Sequence, residues 1–368
     1  MADLHYWIRS AAHVVFNMKH PWMIEWVDDD TARLRNAQIH VPNLVTYVHD
    51  KISALDYFVK EEILFGINLA ELGISFEFRQ ANDSGDETTW GYSPIGSVNA
   101  DGTLDNPESG KLFNAMVEKH ALGLNVMQSR EIIMDRAKAI QWNSNIYKAW
   151  SLFYPAVHVG ALLPGRSTEE SLYQYTNSGT SRRHLYYKDG TIGFASNYHK
   201  GHLNTGIYKY VLRLLPHNLA VVLYILLRVV RPIEFMTLTE YCLKPEKIDT
   251  ALNVYQTYVF ASWGEVWTGE SMSAALMAFF REGFNCNIGV RIYRHFAIAL
   301  GQKYLTYDKE SNSMEQARAL AAGHAETMEQ TNYAGIKGAT GNLTTDEHYF
   351  TRISRDWHKL FGLRTHPV

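Results

Sequence analysis

The chain has 368 residues, 46% of them hydrophobic and 13% aromatic, and a formal charge of −3 at pH 7. That apolar content excludes global disorder, and the length accommodates two domains of ordinary size. The two cysteines, Cys242 and Cys286, exclude a disulfide scaffold and suit a reducing compartment.

The opening MADLHYWIRS lacks the charged-then-apolar layout of a secretion signal. Residues 1–75 read as helices, because apolar positions in VPNLVTYVHDKISALDYFVKEEIL recur at three and four with charged intervals. The Gly/Ser/Asp/Asn/Pro stretch at 82–110 reads as a long loop, of the kind that is functional or disordered in a compact domain. Helical pattern resumes at KLFNAMVEKHALGL, again at 129–142 (SREIIMDRAKAIQW), and again at 145–163 (NIYKAWSLFYPAVHVGALL). A domain boundary is placed near 125–135. Strands are expected only at 182–216, where Tyr, Ile, Phe and Val are punctuated by Asp189-Gly190 and Lys200-Gly201. That pattern predicts a small antiparallel sheet of two or three strands. The apolar run at 219–227 is too short to span a bilayer and reads as a buried helix. Everything after Pro216 returns to helix. The last, NLTTDEHYFTRISRDWHKLFGL, is amphipathic from a Thr-Thr-Asp cap, with Tyr349, Phe350, Ile353, Trp357 and Leu360 as its buried stripe. The expected fold is mainly α with a small antiparallel β-sheet.

The charge is unevenly spread. Residues 1–130 hold 10 Lys+Arg against 18 Asp+Glu, the remainder 25 against 20, and 166–230 alone 8 against 3. An electrostatic footprint is local, so the excess over 166–230 marks a candidate anion-facing region.

The residues able to do chemistry stand in a fixed order. Gly165-Arg166 and Glu169 precede the strands, and Lys200 lies between strands in NYHKG. Arg291, Arg294 and His295 occur in NIGVRIYRHFAIAL, and GHAETMEQTNYAG sets His324 nine residues before Tyr333. This order resembles the catalytic domain of the tyrosine recombinases, the lambda-integrase family, over roughly 145–340. In that family the first box reads approximately Gly-x-Arg-x-x-Glu-x-x-x-Leu. Here the box is Gly165, Arg166 and Glu169, with the leucine one place early at 172. The second box carries Arg291 where a histidine is usual, which replaces a proton-transfer group by a permanent cation. That arginine and a large helical insertion look most like the Crypton-type mobile-element recombinases of fungi.

The resemblance implies a two-domain DNA clamp. A helical core-binding-like domain would cover 1–130, the catalytic domain 131–340 and a helical tail 341–368, the tail either exchanged between protomers or docked on its own domain. It implies a site-specific recombinase that joins Tyr333 to a 3′ phosphate. Arg166 and Arg294 would grip non-bridging oxygens, with Glu169 and His295 packed behind them. Lys200 would protonate the leaving 5′ oxygen, His324 would hold the phosphate, and Arg291 would add a phosphate contact. No cofactor, metal or ATP is expected, since the cations are built in. The implied partners are double-stranded DNA and further copies of the chain in a dimer or tetramer, with no membrane and a nuclear location. The alternatives are a domesticated, non-cutting DNA-binding protein on the same fold, or a type IB topoisomerase-like enzyme.

Some assignments stay open within the sequence. Arg231, in RVVRPIEFMTL, fits the first box by its letters but falls after the strands. Lys188 or Lys209 could take the role given to Lys200. His199 and His202 flank Lys200 but have no carboxylate or cysteine nearby, and do not read as a metal pair.

Overall fold

The structure is a computed structural model that describes residues 24–34, 37–76, 83, 87–98, 106–127, 132–161, 164–196, 211–305, 317 and 343–366. Residues 24–34 and 37–40, expected as helix, instead form an antiparallel sheet of β1 (Ile24–Trp26), β2 (Thr31–Leu34) and β3 (Ala37–His40), in that order. Asp28 makes the first turn, its Oδ1 accepting the N–H groups of Asp30 at 2.9 Å and Thr31 at 2.6 Å. Ala32, Leu34 and Ile39 point inward with the two-residue period of a strand.

Helix α1 (Val41–Phe58) has proline in its first turn and buries Leu44, Val48, Ile52 and Leu55 as one stripe. It continues into a wider π turn at Val59–Ile63. In the long loop, Gly91 N donates to Asn177 O and Asn177 N to Tyr92 O, each at 2.9 Å. The far end of that loop is already helix, α2 (Pro107–Glu118). A short hairpin of β4 (Asn125–Val126) and β5 (Ile132–Ile133) follows.

Helix α3 (Arg136–Gly160) is one 25-residue helix where two were expected. Asp135 caps it, accepting from Ala137 N at 2.8 Å and Lys138 N at 3.0 Å. At 143–144, between the two expected helices, Asn143 Nδ2 donates to Ala139 O at 2.9 Å and Ser144 Oγ to Ile140 O at 3.1 Å. Those side chains bond back into the helix instead of opening it. Trp142, Ile146, Trp150, Phe153 and Tyr154 are all buried, as befits a helix at the centre of the core.

A single turn, α4 (Ser167–Glu170), leads to the sheet β6 (Leu185–Lys188), β7 (Thr191–Ser196), β8 (Val211–Leu214), antiparallel and in that order. Asp189 and Gly190 have φ of 50° and 74°, the pair of positive angles that a two-residue hairpin turn requires. Then come α5 (His217–Tyr224), a π turn at Ile225–Val230, α6 (Arg231–Tyr241) and α7 (Ile248–Thr257). The hairpin β9 (Ala261–Ser262) and β10 (Glu265–Val266), α8 (Gly269–Phe284), α9 (Val290–Tyr304) and α10 (Leu343–Leu360) complete the elements described. The strands at 24–40, 125–133 and 261–266 correct the expectation that only 182–216 would be extended. The fold is mainly helical with small antiparallel sheets.

One apolar cluster reaches from Ala32 to Leu363 and is continuous across residue 130. Helices α1, α6 and α8 pack on α3, and α10 packs on β8 of its own chain. Phe350, Ile353 and Trp357 are buried there, with Tyr349 and Leu360 at the edge. Among the described residues no helix is long and apolar enough to cross a membrane.

Candidate functional site

Three segments meet near the C-terminal end of α3. The first is the turn entering α4, where Gly165 N donates to Glu170 Oε1 at 2.9 Å and Arg166 N to Glu169 Oε2 at 3.4 Å. The two carboxylates thus fold back onto N–H groups that a helix start leaves without carbonyl partners. The second is α9, whose start comes so close to α8 that a Cβ on Gly289 would lie 2.6 Å from Ser273 Oγ. One turn further along, Arg294 Nε donates to Pro164 O at 3.2 Å, joining positions 130 residues apart. The third is β8, all four of whose residues are buried although one of them is Arg213. Arg213 Nη1 donates to the Tyr173 hydroxyl at 3.3 Å and Ser196 Oγ at 3.2 Å, and lies 3.9 Å from Glu169 Oε1.

These charges act on one another. Burial, then Arg166, then Arg213 hold the Arg294 guanidinium below its ordinary value, opposed by Glu169 and Glu170. Burial also works against charge on Arg213, but Tyr173, Glu169 and Glu170 outweigh it and raise its pKa. Burial pushes the Glu170 carboxyl up, yet the His158 imidazole, Arg213 and the Tyr154 hydroxyl bring it below the usual carboxylate range. Guanidinium stays protonated at any working pH. Among the described residues the cluster therefore sets Arg166, Arg213 and Arg294 against Glu169 and Glu170, a balance that attracts an anion. Arg166 and Arg294 are half-buried, whereas Arg213 is only 7% exposed and stands behind them. A groove of about 380 Å³ runs past Glu169 and Ser196, both neighbours of Arg213.

The other residues singled out in the sequence fall as follows. Arg291 and His295 sit on α9 one turn apart, the first exposed and the second half-buried. Lys200, His324 and Tyr333 lie outside the described residues, as do His199, His202 and Lys209. In sequence, Lys200 belongs to the connection between β7 and β8. Lys188 ends β6, beside the Asp189-Gly190 turn. Arg231, the rival for the first box, is fully buried. Its Nη1 donates to Tyr258 O and its Nη2 to Val259 O, the latter at 2.7 Å. The rings of Trp150 and Tyr255 stand 5.2 and 5.3 Å from its guanidinium, so Arg231 serves the core.

Sequence reasoning missed Arg213 and the group formed by Glu170, His158 and Tyr154. A signal was present for the first: a lone arginine inside the apolar strand YVLRLL has to be paired once it is buried. Comparison with known proteins finds no match to a family model, a curated protein or a solved structure.

Proposed function

We propose that the chain is a site-specific DNA recombinase of the tyrosine recombinase type, which cuts and rejoins strands to move a mobile element. The observation that carries this reading is the seating of Arg294 against Pro164, which brings it within electrostatic reach of Arg166 and Arg213. Two half-buried guanidiniums supported by a third are suited to a phosphate that gains charge during reaction.

In this reading the Tyr333 oxygen forms a bond to phosphorus as the bond to the 5′ oxygen breaks. Its phenol, with an unperturbed pKa near 10, needs the surrounding cations to attack at neutral pH. Arg166 and Arg294 hold the non-bridging oxygens, His324 bonds the same phosphate, and Arg291 adds a further contact. Lys200 passes its proton to the leaving 5′ oxygen. Glu169 and His295 support the arginines. The phosphotyrosyl link keeps the bond energy, so a 5′ hydroxyl from another strand can reverse the step without ATP. Residues 1–130 and 131–340 would close around duplex DNA, with two or four copies assembled on it in a nucleus.

One observation favours a second reading. Helix α10 seats on its own β8, which suits a monomeric enzyme of the same chemistry that relaxes supercoils in the manner of a type IB topoisomerase. The test common to both uses a nicked suicide duplex from the ends of the encoding element. Wild type is expected to give a covalent protein–DNA band and Tyr333→Phe none. Retarded DNA without any covalent band would instead support a protein that binds and does not cut. Relaxation of a plasmid lacking paired sites would favour the second reading.

A further inference from the structure

Under the Arg166 turn lies a buried polar network that the phosphate chemistry above does not use. Glu170 is 6% exposed and His158 2%. Glu170 Oε1 accepts from Gly165 N at 2.9 Å, while Oε2 accepts from the Tyr154 hydroxyl at 3.0 Å and from His158 Nδ1 at 2.7 Å. Tyr154 and His158 come from the last two turns of α3, and Gly165 immediately precedes Arg166. Three donors from two segments therefore converge on one carboxylate, which is what keeps a buried charge tolerable. The approach is close: a Cβ on Gly165 would stand 3.2 Å from Glu170 Cγ and Oε1. A side chain at 165 would make the carboxylate give way by a few tenths of an ångström.

The network meets a specific mechanical need. Arg166 and Arg294 repel each other, and Arg213 adds to the repulsion. Left to itself, such a cluster would splay its most mobile member away. Here consecutive backbone groups are pinned from opposite sides, Pro164 O by Arg294 Nε and Gly165 N by Glu170. We propose that Glu170 and His158 are positioning residues for Arg166, fixing the Gly165–Arg166 turn so that its guanidinium stays beside that of Arg294 when no phosphate is present. The turn is then set before the substrate arrives, and binding does not have to organise it.

The proposal rests on the recombinase reading for its kinetic test and is independent of it for its structural one. The variants are Glu170→Gln, which keeps the shape but puts an amide donor where acceptors are needed, and His158→Leu beside His158→Asn, which retains a donor near the place of Nδ1. Hydrogen exchange of the peptide covering 164–170 is expected to quicken at least about tenfold in Glu170→Gln and His158→Leu, with core peptides of α3 unchanged. In His158→Asn most of the protection should return. On the nicked duplex at saturating DNA, Glu170→Gln should lower the single-turnover cleavage rate about 100-fold, the loss that a displacement of about 1 Å produces. Its DNA affinity should stay within about threefold of wild type. Unchanged exchange at 164–170, or a cleavage rate that falls only with the folded fraction, would overturn the proposal. Should wild type form no adduct, the recombinase reading fails by itself and the exchange result alone decides the positioning role.

Discussion

Arg294 is held at Pro164 through its Nε, which donates to the proline carbonyl. Lysine could supply the charge there but not the planar pair of donors. Arg294→Lys and Arg166→Lys are each expected to cut the single-turnover rate by about 10²–10³-fold while DNA affinity changes only a few fold. A fall in affinity with the saturating rate unchanged would show that these arginines bind the ground state without favouring the transition state. A second residue-scale expectation concerns Glu234. Burial lifts its carboxyl to about 7 against the opposing effects of Arg231 and of the Tyr255 hydroxyl, which donates at 2.5 Å. An unfolded glutamate releases its proton near 4.3, so between there and about 7 the folded chain binds more protons and loses stability as pH rises. Glu234→Gln should accordingly raise stability at pH 8 by an amount on the order of 1–3 kcal/mol, with no gain below pH 4. Denaturant titrations at the two pH values measure this, and an equal effect at both would contradict it. Letters alone made Arg166 and Arg231 equivalent for the first box. Only their order along the chain separated them, and no local pattern could show that Tyr258 and Val259 would supply carbonyls to Arg231.

At the scale of elements, α10 is fastened by polar contacts as well as by its apolar stripe. Trp357 Nε1 donates at 3.0 Å to Val159 O, a carbonyl at the end of α3 that also accepts from the Tyr293 hydroxyl at 3.3 Å. His358 Nε2 lies 3.0 Å from Ala161 O and 3.1 Å from Leu214 O, and Leu214 N donates to Ser354 Oγ at 3.2 Å. Burial first, opposed by those two carbonyls, lowers the His358 pKa to about 4, so the ring is neutral near pH 7 and donates from Nε2. The helix thereby ties the end of α3 to β8, the two elements that carry His158 and Arg213. Trp357→Ala should cost about 3–5 kcal/mol of unfolding free energy, as large-to-small changes at full burial do. A loss below about 1 kcal/mol would mean that α10 sits elsewhere in solution. The stripe was readable because five residues repeat at helical spacing, and the β6–β7 hairpin because Asp-Gly admits both positive φ angles. The β1–β3 sheet was not. Its strands have three or four residues, too few to show a period, and the Asp28 turn that joins the first two resembles any acidic surface run. The continuity of α3 through 143–144 was not legible either, since back-bonding of Asn143 and Ser144 to the helix's own carbonyls is invisible in composition.

At the scale of the whole molecule, the acidic balance of 1–130 is spent partly inside. Asp83 and Arg183 form a fully buried pair, with the guanidinium 4.7 Å from the Tyr92 ring and 4.5 Å from the Tyr186 ring. Glu108 pairs with Arg228 at 2.8 Å, and Arg213 faces Glu169. Several of the basic residues that give 166–230 its excess therefore hold the fold together, Arg183, Arg213 and Arg228 among them. Net charge counted along a chain cannot show this use, because pairing depends on which segments fold together. The same folding brings Pro164 to Arg294, on which the functional account stands. Its most direct test is to trap the adduct on a nicked duplex, digest it, and identify by mass spectrometry the peptide that carries the DNA. The account predicts a 3′-phosphate ester on Tyr333, with Arg166→Lys and Arg294→Lys each reducing its yield. A 5′ linkage, or attachment to a different residue while Tyr333→Phe still reacts, would contradict it.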